Sequence, residues 1–480
     1  MTNAEPKSKL PLILIIVLGS FSALVIFGTI IFAVVSVRSR NVKYDALTSQ
    51  IENTRKQIQK PAKTVKEEKP VEKEAPSEEP VEEEQAVEWS EESMELVKEA
   101  WTYWTGEGDF DPAKAKELAQ KSADMGNGDA WVLLGDLTFH SASADRYEQA
   151  MQCYEKGREL GSARALTAMG RMYLNEDNAE KDYKKAGELM EQAREEGAVD
   201  GVLGLAEYLY SPYVDDHDNE KALSLFEEAE QSEDYYVSNQ AATQLGWYYE
   251  STPTDTGYPD YEKAYGIFQK AADAGFGEAI YAIGSGYEFG VHPDTRSADG
   301  PMKPDPETAM QYYEKAAQKG CILAIEKLAQ AYDYGNNVVE PDIEKARAYY
   351  EQGANLGSTR CMSALGDYYY YVEEAQDYEK ALQWYETAND YFALGDMYEW
   401  GNGVPADDVK AAEYFQKEID RTDDERSMYR LGAIYGYTEV ESLKDTEKAK
   451  ELLNRALEKY TEYEDEEMIA EVQDALSGLE

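Results

Sequence analysis

The chain has 480 residues, enough for several ordinary domains or for one long repeat array. Its formal charge of −49 is uneven: residues 1–60 carry eight Lys/Arg against three acids, which leaves 61–480 with a net charge of −54. A field of that sign repels phosphate backbones and argues against nucleic-acid binding, while 42% hydrophobic residues and 38 Tyr exclude a wholly disordered chain.

A nine-residue tail (1–9) leads into 28 uncharged residues, Leu10 to Val37. At 1.5 Å per residue that run makes a helix of about 42 Å, enough to cross a bilayer with tilt to spare. It is too long for the apolar core of a signal peptide, so it predicts one retained transmembrane helix and a lipid-bilayer partner. Lys7 and Lys9 flank one end, and Arg38, Arg40 and Lys43 the other. Counting those charges places the large C-terminal part in the cytoplasm. A short tail before a first helix argues for a signal anchor and the extracytoplasmic side, and the reading leans that way.

In residues 38–60, Tyr44, Leu47, Ile51 and Ile58 fall on one heptad frame. That predicts a juxtamembrane helix, able at most to self-associate weakly as a short coiled coil. Residues 61–88 hold four Pro, ten Glu and four Lys with hardly any large apolar side chain. They predict a disordered, extended linker.

Beyond the linker the chain repeats itself. "DYEKALQWYETA" (Asp377–Ala388) restates "DYEKAYGIFQKAA" (Asp260–Ala272). The Ala of this phrase recurs at Ala115, Ala150, Ala186, Ala222, Ala264, Ala309, Ala346, Ala381, Ala411 and Ala449. Four residues earlier stands Asp in nine of the ten copies: Asp111, Asp182, Asp218, Asp260, Asp305, Asp342, Asp377, Asp407 and Asp445. A short carboxylate there accepts the orphan N–H groups of a helix's first turn. Gly126, Gly161, Gly197, Gly275, Gly320 and Gly357, each eleven residues after the Ala, suit the left-handed residue that ends a helix. The helix between them is here called B.

A helix A precedes each B. Its mark is an apolar residue followed by Gly or Ala, as in Leu134-Gly135, Met169-Gly170, Leu205-Ala206, Ile283-Gly284, Leu365-Gly366 and Leu394-Gly395. Three residues after the small one comes Tyr in seven of nine units, and five residues before it usually Ala, Gly or Cys. Gly inside a helix costs about 1 kcal/mol relative to Ala. Its retention predicts another backbone passing close by, with the Tyr filling the groove beside it. Residues 91–462 thus form about ten helix-turn-helix units, and 463–480 a capping helix for the last apolar face.

This pattern resembles the Sel-one-like repeat, a relative of the tetratricopeptide repeat whose unit reads approximately A-x-x-L-G-x-x-Y-x-x-G-x-G-V, then D-x-x-K-A and A-A-x-x-G. The match is clearest at "YFALGDMYEWGNGVPADDVKAAEYF" (Tyr391–Phe415) and "AIYAIGSGYEFGV" (Ala279–Val291). The resemblance implies an all-α, right-handed α-solenoid that holds other proteins together and has no active site of its own. Cysteine-rich bacterial relatives bridge the helices of each unit by disulfides, and some are linked to β-lactam binding. This chain has only Cys153, Cys321 and Cys361, without the paired spacing, which read as small apolar packing residues. A retained N-terminal anchor looks more like a bacterial envelope protein, placed in the cytoplasmic membrane, than like relatives anchored at the C-terminus.

Chemistry finds little support. His140, His217 and His292 lie far apart and no CxxC occurs, so neither a metal site nor a cofactor is expected. No nucleophile, P-loop or dinucleotide fingerprint stands in a supporting context, so no catalytic residue is proposed. The many carboxylates read as a solvated acidic helix face. Two features remain. Five residues after the small residue of helix A, the last five units carry Phe289, Tyr334, Tyr371, Trp400 and Tyr437, whereas earlier units carry His140, Asn175, Ser211 and Ser251. The aromatic ladder either packs on neighbouring B helices or lines a docking surface for an extended or basic segment of a protein partner. The insertion Phe289–Asp305 reads as a surface loop rather than a specific contact. The expectation is a membrane-anchored protein–protein scaffold. The alternative is an envelope enzyme or receptor for a small ligand such as a cell-wall fragment, which needs a concave pocket with converging polar groups.

Overall fold

The computed structural model describes residues 88–175, 178, 181–253, 258–293 and 303–479. The predicted span 10–37, the juxtamembrane segment 38–60 and nearly all of the linker 61–88 lie outside the described residues, as does most of the insertion after Phe289. Among the described residues no helix is long and apolar enough to cross a membrane.

Twenty-one helices and no strand are present among the described residues. The A helices span Glu91–Thr105, Gly128–Phe139, Arg164–Leu174, Gly201–Tyr210, Tyr235–Ser251, Gly277–Phe289, Ile322–Tyr334, Thr359–Tyr371, Tyr391–Trp400 and Glu425–Tyr437. The B helices alternate with them: Pro112–Asp124, Arg146–Glu159, Tyr183–Glu195, Asn219–Ala229, Tyr261–Asp273, Pro306–Gln318, Ile343–Asn355, Tyr378–Ala388, Asp408–Thr422 and Thr446–Glu462. Glu466–Ser477 closes the chain. One compact body holds Glu84–Ala456 with Ala475–Glu480, and Leu457–Asp474 belongs to another. All contacts described below lie in the first.

Local chemistry sets the helix ends. All nine predicted Asp residues cap a B helix, each carboxylate accepting a first-turn backbone N–H; Asp377 takes that of Lys380 at 3.2 Å, Asp342 that of Lys345 at 3.1 Å. In eight of the nine the Asp N–H in turn donates to the carbonyl of a Tyr near the end of helix A, as from Asp377 to Tyr369 and from Asp407 to Tyr398, both at 2.8 Å, while Asp218 donates to Leu209. One residue pair thereby sets the turn between the two helices. The six predicted Gly all have positive φ, from 74° at Gly197 to 90° at Gly161 and Gly275.

The role of the helix-A glycine differs from the expectation. What lies on it is a side chain of helix B, four residues after the repeat Ala. Added Cβ atoms would stand 2.7 Å from the Phe415 ring at Gly395, 2.8 Å from Met190 at Gly170 and 2.9 Å from the Tyr313 ring at Gly284. Close backbone approach occurs earlier in helix A, at the small residue five positions before, where a Cβ on Gly201 would meet the Ala193 backbone at 2.8 Å. The Tyr after the small residue packs half-buried against the core, as at Tyr173, Tyr249, Tyr332 and Tyr369. It lies under the Lys of the "EKA" phrase, with Lys263 Nζ 3.7 Å from the Tyr249 ring centre and Lys185 Nζ 4.1 Å from that of Tyr173. Lys345, Lys380, Lys410 and Lys448 sit likewise over Tyr332, Tyr369, Tyr398 and Tyr435. The repeated Lys is a cation–π partner of the repeated Tyr.

Repeat arrays ordinarily touch only their neighbours. Here units five and six places apart also meet. Lys319 Nζ donates to the carbonyls of Gly106 at 3.0 Å and Gly108 at 2.6 Å. The Phe110 ring covers Gly320, and a Cβ on Gly357 would lie 2.8 Å from the His140 backbone. Arg146, which holds the register position that Asp takes in the other nine units, is 1% exposed, and its Nη1 donates to the Thr387 carbonyl at 2.8 Å.

Candidate functional site

The predicted ladder residues occupy one register position: Phe289, Tyr334, Tyr371, Trp400 and Tyr437 are each the last residue of their A helix. Their side chains do not pack away against B helices. They are 57%, 74%, 68%, 62% and 49% exposed. Lys327 Nζ lies 5.7 Å from the Phe289 ring centre and the Arg430 guanidinium 5.2 Å from that of Trp400, whose Nε1 donates to Asp396 at 3.2 Å. Tyr371 rests edge-on against Tyr370 at 4.5 Å, and the Tyr437 hydroxyl donates to the Ala475 carbonyl.

The same position in the second unit has another fate. His140 lies against Trp104 and Phe139 and meets the backbone of Leu356, and burial pushes its imidazole down to about 4. A later unit covers it. The five aromatics of the last units remain open, so exposure here is a property of place along the coil and not of the repeat motif.

The structure also holds a second place that sequence reasoning missed. Residues six before and one after the small residue of helix A are seven apart, two turns, and so share one helix face. In units two to four these pairs are Asp129 with Asp136, Arg164 with Arg171, and Asp200 with Glu207. They converge beside a cavity of about 260 Å³. Arg164 pairs with Asp234 at 2.5 Å and stands 4.0 Å from Asp129. Arg171 pairs with Glu207 at 2.8 Å and Asp200 at 3.3 Å. Burial pushes the Asp136 carboxyl up to about 6, against the lowering effect of the Tyr154 hydroxyl that donates to it at 2.8 Å. Glu278, also lining the cavity, is raised by burial. These carboxylates are therefore no solvated face. The seven-residue spacing of charge on the otherwise apolar A helices was the available signal.

Cys321 and Cys361 are buried free thiols whose pKa burial pushes up to about 12, and Cys153 is a half-buried free thiol. None is poised for thiolate chemistry. Among the described residues, no group of three or more His, Cys, Asp or Glu is arranged to hold a metal ion.

Tandem A–B hairpins with small-residue contacts define an α-solenoid repeat protein. The Sel1 repeat family model matches the chain ten times, at residues 100–127, 133–162, 163–197, 202–233, 239–276, 277–321, 322–358, 359–390, 391–417 and 426–460, and the chain belongs to that family. Its fold is typical of protein–protein interaction scaffolds, and such solenoids are generally non-enzymatic. The Sel1-repeat-containing protein YjcO of Escherichia coli K12 is 34% identical over 108 residues, 21% of this chain and 46% of YjcO, so the match spans about half of that relative's length. Among solved structures, c5321, a protective antigen of uropathogenic Escherichia coli, is similar with 20% identity, a TM-score of 0.39, and coverage of 81% of this chain and 91% of its own. A Sel1 repeat protein from Oxalobacter formigenes shows 26% identity, a TM-score of 0.33, and coverage of 52% and 95%.

Proposed function

We propose that this protein is a membrane-anchored scaffold that recruits a protein partner through the aromatic edge of its last five units. The observation that carries the reading is the exposure of five large aromatics, Phe289, Tyr334, Tyr371, Trp400 and Tyr437, at one register position. Rigid aromatic side chains give large contact area at small entropic cost, and such residues dominate binding energies at protein interfaces. The net charge of −54 over residues 61–480 favours a partner whose docking segment is basic or extended. The uncharged run 10–37 supplies the anchor and residues 61–88 the reach, so the mechanism is local concentration of the partner near a bacterial cytoplasmic membrane, with the solenoid on the extracytoplasmic side.

Crosslinking in native membranes followed by mass spectrometry tests this reading. A double Tyr371→Ala, Trp400→Ala variant should lose the crosslinked partner while its far-ultraviolet circular dichroism stays unchanged. Equal capture by the double variant removes the ladder from the mechanism. Protease shaving of intact cells checks the side, and carbonate extraction checks the anchor.

A further inference from the structure

The cavity of about 260 Å³ shares no lining residue with the ladder and is built from both polar and apolar parts. Trp101, Trp104, Phe139 and Phe276 contribute apolar wall, and Asp136, Asp200 and Glu278 bring carboxylates to it. Both guanidiniums at the cavity are already engaged. Arg164 serves Asp234 and Asp129, and Arg171 serves Glu207 and one oxygen of Asp200. Lys319 is held by the Gly106 and Gly108 carbonyls. Six carboxyl groups thus face two guanidiniums, and the surplus is negative.

Two polar atoms here have no partner. Asp200 is 5% exposed, yet only its Oδ2 is bonded, at 3.3 Å from Arg171 Nη1, while Oδ1 is buried without a hydrogen bond. Asp200 sits at the N-cap position of Gly201–Tyr210 but makes no capping bond, so the local backbone does not use that oxygen. Arg171 Nη2 is likewise buried and unbonded. Buried polar atoms are nearly always satisfied, because leaving one unpaired forfeits its hydration. Both atoms belong to one ion pair whose residues line the cavity, and neither is exposed to it as the side chains stand, so a small shift of the pair accompanies any single group that meets both. Such a group must offer a cationic donor to Asp200 Oδ1 and an acceptor to Arg171 Nη2.

We propose that this cavity binds an α-ammonium group with its adjoining carbonyl, carried on an apolar or aromatic side chain. The ammonium meets Asp200 Oδ1, the carbonyl oxygen accepts from Arg171 Nη2, and the side chain lies against the Trp101 and Trp104 wall. Small-ligand pockets commonly run from about 300 to 1,000 Å³. A cavity below that range fits a single residue, so the ligand is either the first residue of a peptide or a free amino acid. The surplus of carboxylates favours the peptide terminus, whose net charge is +1, over the neutral zwitterion.

The full chain in detergent should bind L-phenylalaninamide in calorimetric titration, with a change in tryptophan fluorescence. N-acetyl-L-phenylalaninamide, which lacks the ammonium, should not bind, and L-phenylalanine should bind at least tenfold more weakly than the amide. Asp200→Asn should weaken the amide at least tenfold with circular dichroism unchanged. Equal binding of the free amino acid would assign the site to amino acids instead of peptide termini and overturn that part of the proposal. Absence of phenylalaninamide binding at millimolar concentration by the folded wild type, or equal binding of the acetylated probe, overturns it entirely. If Asp200→Asn fails to fold, the probe series on the wild type decides alone.

Discussion

In nine B helices the Asp four residues before the repeat Ala takes the cap position; in the second that register position holds Arg146, the first helical residue, and Asp145 stands at the cap without a side-chain capping bond. By local reasoning Arg146→Asp should mend that unit, since an Asp cap contributes about 1 kcal/mol. The packed structure says the opposite. Arg146 Nη1 donates to Thr387 O at 2.8 Å, 241 residues away, and to Ser143 O at 3.3 Å, while its guanidinium lies 4.7 Å from the Tyr147 ring centre. A hydrogen bond from a charged group contributes about 1.5–3 kcal/mol. A desolvated cation–π contact adds about 1–2 kcal/mol. Losing both costs about 2.5–5 kcal/mol, and a second carboxylate in the first turn, beside Asp145 at the cap, returns at most about 1, for a net loss near 3 kcal/mol. Unfolding of a long array need not be two-state, so native-state hydrogen exchange is the suitable assay. Amides at 356–362 and 387–391 should exchange about a hundredfold faster in Arg146→Asp. Arg146→Met, which keeps the length without the charge, should fall between. Unchanged or slower exchange in Arg146→Asp would mean that the cap outweighs the contact between distant units, and the reasoning would be refuted.

Gly395→Ala should destabilise despite the better helix propensity of Ala, worth about 1 kcal/mol. The added Cβ would stand 2.7 Å from the ring of fully buried Phe415, and overpacking of that kind costs about 1–3 kcal/mol. A lower urea midpoint is the expected result. Two buried groups should tilt the pH dependence of stability in opposite directions. Asp136 titrates at about 6 in the fold, above the unfolded value near 4, so its contribution is full below about pH 4 and lost as pH rises to about 6. His140 titrates at about 4, below its ordinary 6.5, so its contribution is full above pH 6.5 and lost as pH falls to about 4. Relative to wild type, Asp136→Asn should make melting temperature rise more steeply with pH between 4 and 6, and His140→Gln should make it rise less. Profiles parallel to wild type would show that neither group is desolvated.

The spacing of Asp, Ala, Gly and Tyr was enough to place all ten units. An Asp cap or a left-handed Gly is decided within one helical turn, by atoms only a few residues apart, and the sequence records such choices directly. It did not reveal that the "EKA" Lys lies over the previous helix's Tyr, nor that a B-helix ring rests on the A-helix Gly, since both need the angle between two helices. The register of the ladder was legible, but its exposure was not. His140 and Tyr371 hold the same position, yet one is covered by a later unit and the other is open. Least legible was the polar cavity, where Asp136, Arg171 and Asp200 come from three units and Lys319 and Leu356 from others more than a hundred residues on. The sequence by itself determined what each hairpin is, because hairpins are held by near neighbours. Only the tertiary structure decided which faces are shut away and which stay free, because that depends on small rotations accumulated from unit to unit.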